Sequence, residues 1–423
     1  MAFSGSSGHS RGVPLWRNLA LDLSVAVGIG TTTALVGALL PTVARREGLA
    51  PIGLAALAAA PFLANFLSVF TGRWGPRTPR QLAATRMVGA ALLITLAFVP
   101  IPWMKIPVAV AFWVSVAFGL PYQLRLWGTM YPGRIRGRII GLIGTGRAAA
   151  AGIAALSGGL LADQVGGGGA VAVAGLLGIV CAAAAAGMRA PETGPVARYS
   201  ATASLRALHG HPVLMRVALA QAFYGGGLIA AAPLYALVYV DRLGLSLTEV
   251  GTIGILGAIA ATVASLIWGA VADRRGGMTG MRIGSVLGVA SVVVYAFAPA
   301  VGLLWIAAIL IGVANASIDI GLPSVMSEQT PLEERAAVLA GWNALTGLRG
   351  IAAPFIAGGL VGAGLIDLRG GLLLCAVAAA IGAWLYLNTA SQVDVPAPEM
   401  RWMGVDRGIR RARTLVGRTH LGF

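Results

Sequence analysis

Trp268-Gly269-Ala270-Val271-Ala272-Asp273-Arg274-Arg275-Gly276-Gly277 sets a cluster of charge and glycine between two long apolar stretches. Two arginines beside the last carbonyls of a helix neutralise its negative end, and paired glycines let the chain reverse at once, so the stretch reads as a tight cytoplasmic turn between membrane helices. A weaker copy stands near half a chain earlier, Phe70-Thr71-Gly72-Arg73-Trp74-Gly75-Pro76-Arg77. A turn repeated at that distance predicts a duplicated chain.

The rest of the composition agrees with a membrane setting. Of 423 residues 57% are hydrophobic and only 11% charged, which excludes an ordinary soluble domain. Apolar runs of about twenty residues without strict alternation predict helices rather than a barrel. The 60 glycines suit helices that pack closely in lipid. A net charge of +16 follows from topology and does not imply nucleic acid. Arg45, Arg46, Lys105, Arg242 and Arg369 fall in outer loops and Arg125, Arg147 and Arg349 within helices, while the remaining basic residues lie in inner connections. This bias places the chain in the cell membrane with both termini cytoplasmic. The Ser- and Gly-rich residues 1–14 show no cleavable signal.

Twelve spans are expected, at about 18–40, 52–70, 83–103, 106–127, 139–162 and up to 188, then 214–240, 250–271, 283–299, 302–322, 336–362 and 371–387. The organisation is a cytoplasmic N-terminus at 1–17, an N-terminal six-helix half at 18–188 and a central linker at 189–213 that holds a short surface helix near 204–208. A C-terminal six-helix half at 214–389 and a basic tail at 390–423 complete it. Landmarks of the two halves cluster around an offset near 200 residues. Gly75 and Gly276 differ by 201, Gly119-Leu120-Pro121 recurs at Gly321-Leu322-Pro323 and Gly158-Gly159-Leu160 at Gly358-Gly359-Leu360. Pro132 aligns with Pro331, Arg138 loosely with Arg335, and Arg147 with Arg349.

Two six-span halves, a central loop and Gly269-x-x-x-Asp273-Arg274-x-Gly276 resemble the major facilitator superfamily of secondary transporters, over about residues 15 to 390. The resemblance implies an all-α polytopic fold of two pseudo-symmetric six-helix bundles, with substrate bound at the midplane between rocking halves. It makes Asp273, Arg274, Gly276 and Arg73 residues of a cytoplasmic gate. The first copy departs from the pattern, with Gly72 where Asp273 stands in the second, so the implied gate is asymmetric.

Ionisable groups inside spans are costly and therefore candidates for function. Asp22 is read either as a proton-binding carboxylate, which makes it the proton-coupling candidate, or as a partner for a nearby arginine, and Gln221 occupies its repeat position. Arg147 and Arg349, at related depths, are read either as a pair gripping an anionic substrate or as arginines bonding carbonyls in their own halves. Arg125 and Asp319, late in their helices, read as gate or snorkelling residues. Gln123, Gln221, Tyr224, Asn315 and Asn343 are candidate polar lining. Gly225-Gly226-Gly227 allows either bending or close packing.

A Gly-rich stretch ending in Gly-Lys-Ser/Thr is absent, which argues against ATP hydrolysis. His209 and His211 alone make a poor metal site, and Cys181 and Cys375 sit within apolar runs. Neither an enzyme nor a cofactor is expected. The function read here is a monomeric secondary active transporter of a small solute, anionic or otherwise organic, with a proton as the candidate coupled ion. A transport-dead sensor or assembly factor, and a lipid flippase, are the alternatives.

Overall fold

The computed structural model describes residues 15–71, 75–190, 201–331 and 333–389. These form thirteen helices and, among the described residues, no strand. The first half contains α1 (Leu15–Arg46), α2 (Pro51–Thr71), α3 (Pro79–Thr95), α4 (Pro102–Met130), α5 (Gly133–Val165) and α6 (Gly167–Gly187). The short α7 (Ala201–His209) bridges to α8 (Pro212–Arg242), α9 (Leu247–Arg275), α10 (Gly277–Phe297), α11 (Val301–Gln329), α12 (Arg335–Gly362) and α13 (Leu368–Asn388). Ten of these are long and apolar enough to cross a membrane. Of the other two expected spans, α2 is apolar over the shorter stretch Pro51–Leu67, and α3 has 17 residues that include Arg80 and Arg86.

The chain runs up and down between two ends. The base is where α1 begins and α13 ends; the far end is where α1 passes to α2. Arg45 and Arg46, expected in a loop, form the last turn of α1 instead. That helix is extended by a wide π turn at Leu35–Leu39, where the Leu40 amide bonds Leu35 O and Pro41 has no amide to donate. A second π turn, Val238–Arg242, lies at the related place in α8. Gly276 closes α9 at φ +78, a backbone state that suits glycine, and α10 starts on the next residue. At the start of α9, Ser246 and Glu249 form a reciprocal capping box.

The halves meet along α5 against α9 and α2 against α12. Glycine makes both seams close: a Cβ at Gly152 would lie 2.9 Å from Ala258 Cβ, one at Gly254 2.8 Å from Ala155 Cβ, and one at Gly358 2.9 Å from Ala55 Cβ. At the far end one apolar core joins both halves through Leu39, Val43, Leu57, Leu237, Leu247 and Val250. Toward the base it divides. Val25, Leu82, Tyr122 and Leu126 pack within the first half, and Leu214, Met281, Val325 and Trp342 within the second.

The duplication extends to a contact that the sequence alignment placed two residues away. Arg136 donates from Nε to Tyr131 O (3.1 Å) and from Nη2 to Gly128 O (2.7 Å). Arg335 donates in the same pattern to Thr330 O (3.1 Å) and Ser327 O (2.7 Å). Arg136, not Arg138, is therefore the counterpart of Arg335, and each arginine satisfies the open carbonyls at the end of α4 or α11. Glu328, on the last turn of α11, accepts from Ser324 Oγ at 2.7 Å.

Candidate functional site

A cavity of about 340 Å³ lies between the halves, lined from α1, α2, α4, α8 and α11. Its walls are mainly apolar, with Leu57, Phe62 and Leu228 among them, and its polar groups come from Asn315, Tyr235 and Trp113. Such a chamber suits an organic body with few hydrogen-bonding groups. Prolines Pro41, Pro61 and Pro233 also line it. One turn from Asn315 on the same face of α11, toward the base, stands Asp319, within electrostatic range of Arg147 on α5. Arg147 is also near Arg86 on α3. The candidates Asn315, Asp319 and Arg147 therefore belong together at the seam.

Above the cavity the far end is fastened by bonds that cross from one half to the other. Arg45 of α1 meets Asp241 of α8 in a 2.8 Å ion pair, reinforced by Nε to both carboxylate oxygens at 3.0 Å. Arg46 donates to Leu245 O. Asp163 at the end of α5 accepts from the amides of Leu247 (3.0 Å) and Thr248 (2.8 Å) and from Thr248 Oγ1 (2.7 Å). These amides are first-turn donors of α9, so one half caps a helix of the other.

Asp22 is fully buried within the first half and does not line the cavity. Its carboxylate accepts from Trp127 Nε1 (2.6 Å), Tyr131 Oη (3.0 Å) and Gln123 Nε2 (3.4 Å). Burial, and next the Asp22 charge, hold the Tyr131 hydroxyl well above its usual range, so it stays a donor. Gln123 turns its carbonyl to Arg86 Nη2 at 3.4 Å, and Arg86 also donates to Val116 O at 2.7 Å. Arg86 and Tyr131 were absent from the expected site. Arg86 reads as the start of a span, and Tyr131 as part of a basic loop.

In the second half Arg349 bonds Gln221 O, and Tyr386 Oη donates to Gln221 Oε1 at 2.5 Å. Tyr224 packs edge-on against Tyr386 at 6.0 Å. Gln221 and Tyr224 thus face their own bundle, and Arg349 is engaged there and does not converge with Arg147. The repeat explains this: Arg136 and Arg335 fix the offset near 199, which displaces Arg349 by three residues from the counterpart of Arg147, most of a helical turn. The Gly225-Gly226-Gly227 run is continuous helix, and its bare face admits Arg349 and α13.

Of the gate candidates, Asp273 and Arg274 are exposed at the base and, among the described residues, form no ion pair. Gly276 serves the turn. Arg125 lies 6.0 Å over the Tyr122 ring. Asn343 is exposed on α12, one turn from the Gly347 seam toward the base. Arg73 and the tail at 390–423 lie outside the described residues. His211 Nε2 is 2.9 Å from Glu334 Oε2.

A profile of the Major Facilitator Superfamily matches residues 114–300 and 217–416. A search of curated protein sequences returns no significant match. Among solved structures, a mutant of the nucleoside transporter NupG superposes with a TM-score of 0.71 at 15% identity, over 87% of this chain and 99% of that one. A bacterial homolog of the human lysosomal transporter Spinster, inward-facing and occupied, gives 0.64 at 16% identity over 88% and 96%. The human organic anion transporter TETRAN gives 0.62 at 14% over 89% and 100%. At these identities the likeness is one of fold.

Proposed function

Since the chain belongs to the Major Facilitator Superfamily, and is thus a multi-pass membrane protein of a transporter family, we propose that it is a secondary active transporter of a small organic solute. The observation that carries this reading is the division of the core: continuous across both halves at the far end, separate at the base. With the positive-inside bias the base is cytoplasmic, so the cavity faces inward and rocking of the halves would expose it to the other side. Solute enters past Arg147 and Asp319 and rests against Asn315, Tyr235 and Trp113. The proton site is Asp22, whose cage of three neutral donors holds a carboxylate that a proton can neutralise. Asp273, Arg274 and Arg73 form the cytoplasmic gate in the outward state, and the protein works as a monomer in the cell membrane.

The test is uptake by purified protein in proteoliposomes, with imposed proton and solute gradients and a library of neutral, anionic and cationic organic solutes. Saturable uptake of one class, abolished by Asn315→Leu and by Arg147→Ala, is expected. No uptake of any member under either gradient would remove the reading.

A further inference from the structure

A second cavity, of about 260 Å³, opens between α8, α12 and α13 on the outer face of the second half, away from the seam. Its walls are Ala, Gly, Ile and Leu residues and Cys375, with Phe223, Ile356 and Leu374 partly exposed at its rim. The one charged group lining it is Arg349. Arg349 lies midway along α12 and, among the described residues, meets no carboxylate: one Nη bonds Gln221 O and its buried Nε has no partner. Room for the guanidinium is made by glycine, since a Cβ at Gly225 would lie 3.1 Å from Arg349 Cζ. From Arg349 the crevice follows α12 to Ala357, about 12 Å at 1.5 Å per residue, toward the far end.

An unneutralised cation at the inner end of an apolar crevice in a membrane protein is complementary to one ligand shape, an anion on an apolar tail. We propose that this crevice binds a single-chain amphipathic carboxylate from the surrounding bilayer, the carboxylate on Arg349 and the tail along Ala353, Ile356 and Leu374. The proposal goes beyond the transporter reading: the crevice lies away from the seam and is a second site beside the central cavity, with no lining residue in common.

The test is thermal stabilisation and titration of the full chain in nanodiscs of zwitterionic phosphatidylcholine, with decanoate as probe and decanol as its uncharged match. Decanoate should raise the melting temperature and decanol should not. Arg349→Gln should weaken decanoate binding about tenfold or more, as should Ala352→Leu, which fills the crevice beside an intact arginine. An equal effect of decanoate and decanol, or unchanged decanoate binding by Arg349→Gln, overturns the proposal. Binding that fails in both variants while proteoliposomes move nothing leaves the crevice standing and removes the transporter reading. Transport of decanoate by a protein whose Arg349→Gln form binds it normally does the reverse.

Discussion

Removing the far-end clasp should open the cavity to the outside. Asp163 contributes a cap to α9 from the opposite half, and losing a cap costs about 0.5–2 kcal/mol. Because Asp163 is exposed and water takes its place on opening, the lower part of that range applies, about 1 kcal/mol. The Arg45–Asp241 pair, with side chains 25% and 40% exposed, adds roughly 0.2–1 kcal/mol. Asp163→Ala with Asp241→Asn should therefore shift the balance between closed and open far ends by about 1–2 kcal/mol, a factor of roughly 5–30. The readout is labelling of Ala232→Cys, on the cavity wall, by an impermeant maleimide confined to the far face, with Cys181 and Cys375 replaced by Ser. The rate should rise by that factor, and each single variant should give part of it. An unchanged rate in the double variant, or an equal rise when the reagent is confined to the base, would refute the clasp.

Gly251→Val acts on the same equilibrium through packing: a Cβ there would lie 3.0 Å from the Ala155 carbonyl carbon, so valine should part α5 from α9 and speed the same labelling with Asp163 intact. Gly269→Ala, which meets open space, should leave it unchanged. Asp22→Asn can keep its carbonyl oxygen for Trp127 and Tyr131 but turns its amide nitrogen on the donor Gln123 Nε2, so stability should fall by about 1–3 kcal/mol in denaturant titration and uptake should lose its response to a proton gradient. Retained gradient-driven uptake would exclude Asp22 as the proton site. Arg136→Ala and Arg335→Ala remove the same pair of carbonyl contacts in each half and should lower the melting temperature alike; a large drop in one alone would contradict their equivalence.

What the sequence made legible is what recurs at fixed spacing. The Gly276 turn, the paired halves and the long apolar helices all follow from local chemistry repeated near 200 residues apart. The error of two residues at Arg138 arose because arginines stand at 134, 136 and 138, and only the carbonyl contacts single out Arg136. The clasp was not legible, because Arg45 finds Asp241, and Asp163 finds Leu247, only after the halves close. Arg86 was hidden by a boundary: a residue three places inside an expected span reads as part of its basic flank, yet α3 begins at Pro79 and carries Arg86 two turns inside. Asn315 is legible as a polar residue and Asp319 as an ionisable one late in its helix, but the approach of Arg147 on α5 to Asp319 is a property of the assembled seam.

The two halves treat one position differently, and this difference explains why the crevice carries a free charge. Asp22 and Gln221 occupy related places on α1 and α8. In the first half the carboxylate collects donors from Gln123, Trp127 and Tyr131; in the second the neutral amide accepts from Tyr386 and leaves Arg349 with a backbone carbonyl. The amide and the guanidinium are adjacent, for a Cβ on Gly225 would lie 2.9 Å from Gln221 Nε2 and 3.1 Å from Arg349 Cζ. Gln221→Glu therefore sets a carboxylate within reach of Arg349 with almost no change of shape. If the crevice draws its ligand by unneutralised charge, this variant should bind decanoate about as weakly as Arg349→Gln does, although the arginine and the apolar walls are intact. If binding instead depends on the walls alone, Gln221→Glu should bind decanoate as the wild type does, and the charge argument fails.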